Sequence, residues 1–245
     1  MTISVEHFSR TYGDLTAVDD LSFEVASGEI VGLIGPNGAG KTTTLRSLAG
    51  ILRPSAGRLR IDGHEIVGDA LEAKRCLAFM PDEPHLFEYL TVEEHLRLVA
   101  RLYTVTDFEA RVRPLLEELQ LNGKEQSLPG ELSRGMRQKV IIACGLMRSA
   151  TTLLFDEPLT GLDPLGIRRM RTTIAARARD GAAILLSSHL LHLVEEVCSR
   201  VIIMDRGRKI ADGTFLELAA HAELAPAGSS LEQIFLRVTG HDGAA

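Results

Sequence analysis

A glycine-rich segment near the start of the chain has the residue types and spacing that bind a run of phosphates. It follows the pattern Gly-x-x-x-x-Gly-Lys-Thr. Glycines let the backbone wrap closely around phosphate oxygens, and successive backbone N–H groups form a nest for an anion. We expect the Lys41 ammonium to reach the β- and γ-phosphates and the Thr42 hydroxyl to bind Mg²⁺. The expected nucleotide contacts are Gly35, Pro36, Asn37, Gly38, Ala39, Gly40, Lys41, Thr42 and Thr43.

Two consecutive carboxylates follow a second apolar run, Leu153-Leu154-Phe155. Ligands bind open α/β sheets at the carboxyl ends of the strands, which is where Asp156 and Glu157 would lie. Asp156 suits the Mg²⁺ shell, directly or through water. Glu157 suits a general base that orients and activates a water molecule. An acidic strand end that only caps a loop is the alternative, and the phosphate-binding segment in the same chain makes it weaker.

Apolar patterns predict the elements that position these groups. The run Ile30–Ile34 does not alternate with polar residues, which is typical of a strand buried on both faces, and residues 42–48 have helical character. Alternating residues before it, 3–6 and 21–25, predict an antiparallel layer that is wet on one face. Further buried strands are predicted at 152–155, 183–187 and 201–204, with helical segments between them.

These elements predict one α/β domain whose core sheet is mostly parallel, with an N-terminal antiparallel β layer. Helical spacing over residues 90–146 predicts a helical insertion. We place the catalytic core at about 1–85 and 147–220 and the helical subdomain at about 86–146. A loose patch at 222–230 precedes a short amphipathic helix in the tail, 221–245.

With these two motifs in this order, the sequence resembles the P-loop ATPase domains of ABC transporters. Leu132-Ser133-Arg134-Gly135-Met136 resembles the signature loop of that family, which is usually LSGGQ. In the family this loop covers the γ-phosphate of ATP bound by the opposite subunit. The resemblance therefore implies that Ser133 and Gly135 contact ATP across a dimer. By itself the segment also fits a simple helix start with Ser133 as the N-cap.

Three further segments resemble family motifs. Leu159-Thr160-Gly161-Leu162-Asp163 is similar to the D-loop, which implies that Asp163 lies at the dimer seam. Ser187-Ser188-His189 is similar to the switch-histidine motif, which implies that His189 contacts the γ-phosphate and acts with Glu157 and Lys41 in catalysis. Tyr12 matches the aromatic residue that stacks on adenine, and a ring face suits a base.

Two motifs depart from the family pattern. Asp82 stands where the family usually has Gln, and it could bind the metal through its carboxylate. An ionised Asp only accepts hydrogen bonds, whereas Gln also donates them. In the signature loop, Arg134 replaces Gly and Met136 replaces Gln, while Gly135 is kept. We infer an active ATPase that turns over more slowly.

Composition limits the class of partner. The formal net charge of −6 disfavours nucleic acid as a partner. The three cysteines are scattered, which is typical of reduced thiols, and no secretory signal is visible at the N-terminus. The longest apolar runs are far shorter than the roughly 20 residues of a membrane-spanning helix. The resemblance then implies an ATP- and Mg²⁺-dependent homodimer on a separately encoded membrane permease, at the cytoplasmic face of the membrane.

The Asp82-Glu83-Pro84 and LSRGM variants, and the tail at 230–240, look like those of drug or antibiotic exporters, so we expect export. Three alternatives stay open: an importer ATPase, a soluble ABC-type ATPase acting on ribosomes, DNA or cofactor assembly, and an ATP-sensing scaffold. The chain has a single cassette and no sustained heptads, which disfavours the translation-factor and DNA-end proteins.

Overall fold

The computed structural model describes residues 2–224 and 229–240. The strands are β1 Ile3–Tyr12, β2 Leu15–Val25, β3 Ile30–Ile34, β4 Ala56–Ile61, β5 His64–Glu65, β6 Leu77–Met80, β7 Thr152–Asp156, β8 Ala183–Ser187, β9 Arg200–Asp205 and β10 Arg208–Gly213. The helices are α1 Lys41–Leu48, α2 Ala70–Cys76, α3 Val92–Leu102, α4 Phe108–Glu118, α5 Arg134–Met147, α6 Pro164–Arg179, α7 Leu191–Val197, α8 Phe215–His221 and α9 Leu231–Thr239.

A six-stranded sheet, ordered β10-β9-β3-β8-β7-β6, forms the centre of the molecule. Four of its neighbouring pairs are parallel, and only β9–β10 is antiparallel. The predicted mostly parallel core is therefore confirmed. Because the strands run parallel, β3, β7 and β8 all end at one edge, and each is followed by a loop that carries polar residues.

The central strands are buried on both faces, which explains their continuous apolar sequences. Along β3, Ile30 and Ile34 pack with the helices on one side, whereas Val31 and Leu33 pack with β1, β2 and α1 on the other. Strands β7, β8 and β9 divide their side chains between the same two clusters. Neither face is left for polar residues, so the strands do not alternate.

A four-stranded antiparallel sheet, ordered β2-β1-β4-β5, forms the predicted N-terminal layer. Its apolar face packs with α1 on the central sheet. Strands β4 and β5 form an antiparallel hairpin that turns at residues 62–63, although β5 has only two residues. The sequence analysis did not predict β6 and β10, which are the edge strands of the six-stranded sheet: β6 has only four residues, and β10 is mostly polar.

Helices α3, α4 and α5 lie between β6 and β7 and form the predicted helical block. The boundaries placed at about 85 and 146, and at 221, stay predictions. Helix α9 packs against α7, with Leu231 and Ile234 buried. Residues 225–228 of the patch predicted to be loose, and residues 241–245 of the tail, lie outside the described residues.

Cys76, Cys144 and Cys198 are free thiols, and burial raises the pKa of Cys144 to about 12. Within residues 2–224 and 229–240, no helix is long and apolar enough to cross a membrane.

Candidate active site

The glycine-rich loop connects β3 to α1 and turns sharply at Gly40. Gly40 has φ of 100°, in the left-handed region, and a Cβ there would lie 2.6 Å from the Ala17 carbonyl oxygen. Only glycine fits that backbone without strain. Gly40 is also the N-cap of α1, so the loop leads directly into the positive end of the helix dipole. The loop and the helix start therefore favour an anion.

Lys41 is the first residue of α1 and is mostly buried. Its Nζ donates hydrogen bonds to the carbonyl oxygens of Gly35, at 2.6 Å, and Pro36, at 3.1 Å. Burial lowers the pKa of Lys41, and the nearby carboxylates of Glu157 and Asp156 act in the opposite direction. The ammonium is held inside the loop, close to where phosphate oxygens would lie.

Asp156, at the end of β7, bonds to the start of helix α1 and to the end of strand β8. Its Oδ1 accepts hydrogen bonds from the Thr42 hydroxyl at 3.1 Å and the Ser187 hydroxyl at 2.7 Å. Asp156 is almost fully buried. The carboxylate and the Thr42 hydroxyl are both oxygen donors, the type of ligand that Mg²⁺ prefers. Their chemistry and closeness fit the predicted metal site.

Glu157 follows Asp156 in a backbone conformation that is uncommon for a residue with a side chain. Its φ is 51°, and its N–H donates to the hydroxyl of Ser187 at 3.1 Å. Its Oε2 lies 2.8 Å from Nδ1 of His189 and accepts the His189 backbone N–H at 3.3 Å. Such strain persists where the surroundings hold it and is typical of functional sites. The geometry joins Glu157 and His189 into one unit.

These groups surround an open cavity of about 840 Å³. Its walls include Tyr12, a residue that is 42% exposed and whose ring carries the Arg10 guanidinium 4.6 Å from its centroid. The wall residues predicted from sequence are Tyr12, Asn37, Gly38, Ala39, Gly40, Lys41, Thr42, Thr43, Asp82, Glu157 and His189. The sequence reading missed Leu15, Thr16, Ala17, Thr160 and Arg206 as wall residues. They belong to no phosphate-binding pattern, and only folding brings them to this edge.

Six predicted residues are not among the wall residues of this cavity. Gly35 and Pro36 belong to the loop that holds Lys41, and Asp156 bonds to Thr42 of the wall. The other three are Ser133, Gly135 and Asp163. Ser133 is the N-cap of α5 and accepts the Met136 N–H, and Asp163 is the N-cap of α6 and accepts the Gly166 N–H. The N-cap reading of Ser133 is therefore confirmed, while its contact with ATP stays a prediction.

Gly135 has a packing role within the chain. A Cβ at this position would lie 2.7 Å from the carbonyl oxygen of Gly161, closer than real contacts allow. The signature segment and the Gly161 loop therefore approach each other through bare backbone.

Comparisons with known proteins agree with this site. The family model described as "ABC transporter" matches residues 18–160. The chain belongs to the ABC transporter family.

The cassette is 34% identical over 242 residues to the ABC-type transporter ATP-binding protein EcsA of Bacillus subtilis, covering 98% of this chain and 97% of that one. It is 39% identical over 213 residues to the Nod factor export ATP-binding protein I of Burkholderia pseudomallei, covering 86% of this chain and 70% of that one. A solved ATP-binding subunit of an ABC transporter is 36% identical and superposes with a TM-score of 0.93 over 98% of this chain and all of that one.

A dimeric ATP-binding cassette bound to ADP and Pi shares the fold, with a TM-score of 0.80 at 22% identity over 86% of this chain and 98% of that one. The predicted fold class is confirmed by these likenesses. The chain is therefore an ATP-binding ABC cassette and an ATPase.

Proposed function

We propose that this cassette powers export through a separately encoded membrane permease, by closing as a homodimer on ATP and opening after hydrolysis. The observation that carries the proposal is that the Glu157–His189 unit and the Lys41 loop line the same cavity. That arrangement provides a base, a hydrogen-bonding partner and a phosphate cradle in one place.

Each residue has a task that follows from its position. The loop N–H groups and Lys41 bind the phosphates, so Lys41 exchanges its bonds to Gly35 and Pro36 for phosphate oxygens. Glu157 accepts a proton from the attacking water, and His189 orients the carboxylate and contacts the γ-phosphate. Tyr12 stacks on the adenine ring.

Thr42 and Asp156 would hold Mg²⁺, since their oxygens already lie 3.1 Å apart in a pocket of carboxylate and hydroxyl groups. The ion supplies positive charge that stabilises the phosphates during transfer. Ser187 keeps Asp156 in place through its 2.7 Å hydrogen bond.

A second cassette would complete the site. Ser133 begins α5, and the helix N-terminus and hydroxyl form a group that suits a phosphate. Because Ser133 does not line the cavity of its own chain, we infer that it acts on ATP bound by the second copy, with Asp163 at the seam. The dimeric state of a cassette with the same fold supports this inference.

Export is the direction favoured by the relatives, because the similar Burkholderia protein is named for Nod factor export. The membrane partner places the cassette at the cytoplasmic face of the membrane. No described helix spans a membrane, so the transport path would belong to the partner.

A groove between the two lobes of the molecule offers a docking place for that partner. It measures about 630 Å³ and lies between α2 of the core and the end of α3. Lys74, Arg111 and Arg148 line it, and none of them pairs with a carboxylate in the described part of the chain. Leu71 and Leu102 add exposed apolar surface. We expect an acidic, partly apolar segment of the permease to fill this α2–α3 groove.

The deciding experiment is affinity purification of the tagged chain from gently solubilised native membranes, with mass spectrometry of the proteins that accompany it. A stoichiometric membrane protein with several spans would support the transporter role. Ribosomal, DNA-bound or other soluble partners, with no membrane protein, would replace it with a soluble motor. ATP hydrolysis by the purified chain would distinguish a transporter subunit or a soluble motor from a scaffold that only senses ATP.

A further inference from the structure

Two of the residues that depart from the family pattern, Asp82 and Arg134, contact each other in the fold. Nη2 of Arg134 lies 3.5 Å from Oδ1 of Asp82, and the residues are 52 positions apart in the chain. Asp82 belongs to the loop after β6, and Arg134 is the first residue of α5. Both side chains are about half exposed, so each can move.

A second contact joins the same two elements one turn further along α5. Nε2 of Gln138 donates to the carbonyl oxygen of Pro81 at 3.0 Å, and Gln138 is almost fully buried. Residues 134 and 138 lie on one helix face, because they are four positions apart. The loop that carries Asp82 is therefore held to α5 by one buried anchor and one exposed ion pair.

The start of α5 needs a negative charge. Its first turn contains Arg134 and Arg137 and no acidic residue, although the positive end of a helix dipole favours carboxylates. Glu131 is close by, but its Oε2 accepts the Leu128 N–H. Asp82 supplies the charge, and a neutral Gln at that position would not.

Asp82 also faces the nucleotide cavity. It lines the 840 Å³ cavity, and it lines a separate cavity together with Arg134 and Arg137. The single carboxylate therefore lies between the phosphate site and the helix that carries Ser133. A cation that binds beside it in the nucleotide cavity competes with Arg134 for the carboxylate.

We propose that Asp82 and Arg134 act as one unit that links the nucleotide site to the orientation of the Ser133 loop. Arg134 is a positioning residue: it holds Asp82 when the nucleotide cavity carries no cation, and it would be released when a cation bound with the nucleotide attracts the carboxylate. The inference rests on the proposed roles of the nucleotide cavity and of Ser133. Exposed ion pairs contribute little to folding, so the effect belongs to turnover.

A double-mutant cycle tests the unit. Asp82→Asn, Arg134→Ala and the double variant are compared with the wild-type chain in kcat and KM for ATP, at low salt and in 0.5 M KCl. We express the kcat of each variant as a fraction of the wild-type value. At low salt we expect the fraction kept by the double variant to be about threefold or more above the product of the two single-variant fractions. We expect this excess to shrink at high salt, because exposed charges are screened. Multiplicative effects at both salt concentrations would overturn the pairing.

Two further variants separate pairing from a general change of shape. Arg137→Ala removes a neighbouring charge from the same helix turn, and we expect its effect to multiply with that of Asp82→Asn. Arg134→Lys keeps a positive charge opposite Asp82, so it should recover at least half of the turnover that Arg134→Ala loses. Absence of rescue, with normal melting temperatures, counts against the unit.

Binding is measured separately from turnover, so that the cavity is tested independently. We expect Mg²⁺ with ATP to raise the melting temperature of the wild-type chain and of every variant. A wild-type chain that shows no such shift would overturn the proposed nucleotide site. A normal shift with purely multiplicative kinetics would overturn the Asp82–Arg134 unit alone.

Discussion

At the residue scale, the site is built around two carboxylate oxygens, each of which is bonded to two polar groups. Oδ1 of Asp156 accepts from both Thr42 and Ser187, and Oε2 of Glu157 meets both the ring and the backbone N–H of His189. These paired hydrogen bonds fix the two carboxylates before any ligand binds. Polar groups that are already in place stabilise the transition state, and this is the largest source of catalysis in many enzymes.

Glu157→Gln tests the base. The amide nearly preserves the size of the side chain but cannot accept a proton from water, so we expect ATP to bind while turnover falls by about 10²- to 10⁴-fold. We also expect a dimer that persists in ATP and Mg²⁺, measured by size-exclusion chromatography with light scattering. Glu117→Gln, an exposed change on α4, is the control. A variant that stays monomeric at high concentration would contradict the closed-dimer mechanism.

Lys41→Ala tests the phosphate cradle. The change removes a buried ammonium whose hydrogen bonds go only to loop carbonyls in this structure. Charge-assisted hydrogen bonds contribute about 1.5–3 kcal/mol, so ATP affinity should fall by roughly 10-fold or more. Binding of a fluorescent ATP analogue measures it, with Lys124→Ala as a surface control. Unchanged affinity would mean that the loop binds something other than phosphates.

At the element scale, one arginine joins three strands. Arg200 of β9 forms a two-point ion pair with Asp212 of β10, at 2.7 and 2.9 Å, and donates to the Glu24 carbonyl of β2 at 3.0 Å. It thereby fastens the edge of the central sheet to the antiparallel layer. The walls of the nucleotide cavity come from both sheets, so their relative position matters for Tyr12.

Asp212→Asn should destabilise the fold by about 1–3 kcal/mol, because it leaves Arg200 partly buried without its full counter-charge. Burial raises the pKa of Asp212, but hydrogen bonds from Arg200 and Lys209 outweigh it and the pKa lies below its ordinary value. The stabilisation is therefore complete above the unfolded pKa of about 3.9 and disappears as the pH falls through the lower folded value.

Urea unfolding of the wild-type chain and of Asp212→Asn at pH 7 and in acid measures this difference. We expect the difference in the free energy of unfolding between the two proteins to disappear only below about pH 4. Asp14→Asn, in an exposed turn, should leave the free energy of unfolding nearly unchanged. A difference in unfolding free energy that stays constant into strong acid would show that the ion pair does not cause it.

At the scale of the whole molecule, the cavity for the nucleotide and the α2–α3 groove have different chemistry. The cavity wall combines acidic and basic groups, whereas Lys74, Arg111 and Arg148 make the groove basic. Arg148 also stabilises the groove, since it donates to the carbonyls of Lys74 and Arg75 and stacks on the Tyr103 ring at 3.4 Å. A protein of net negative charge thus keeps a local basic surface.

Lys74→Glu tests the groove as the docking place. The change reverses one charge that has no structural hydrogen bond to lose among the described contacts, so we expect at least a 10-fold drop in recovery of the membrane partner. ATP binding by the purified chain should not change. Arg113→Glu makes the same charge change outside the groove and serves as the control. Equal recovery with both variants would place the docking surface elsewhere.

Local sequence was sufficient for the groups that lie next to each other in the chain. The loop around Lys41, the Asp156-Glu157 pair and the runs of β3 and β8 could be predicted, because a motif or a buried strand is written in consecutive residues. The family pattern added His189 and Tyr12, which line the cavity with them. The edge strands β6 and β10 carried too weak a pattern to be found.

Only the tertiary structure decided the contacts between distant segments. It showed that Ser187 holds Asp156, that Arg206 reaches the nucleotide cavity and that Asp82 meets Arg134 across 52 positions. Periodicity and motifs report local conformation, whereas these contacts depend on how sheet, loops and helices pack together. The sequence by itself determined that this chain binds and cleaves ATP. Packing decided that Asp82 and Arg134, which depart from the family pattern, contact each other.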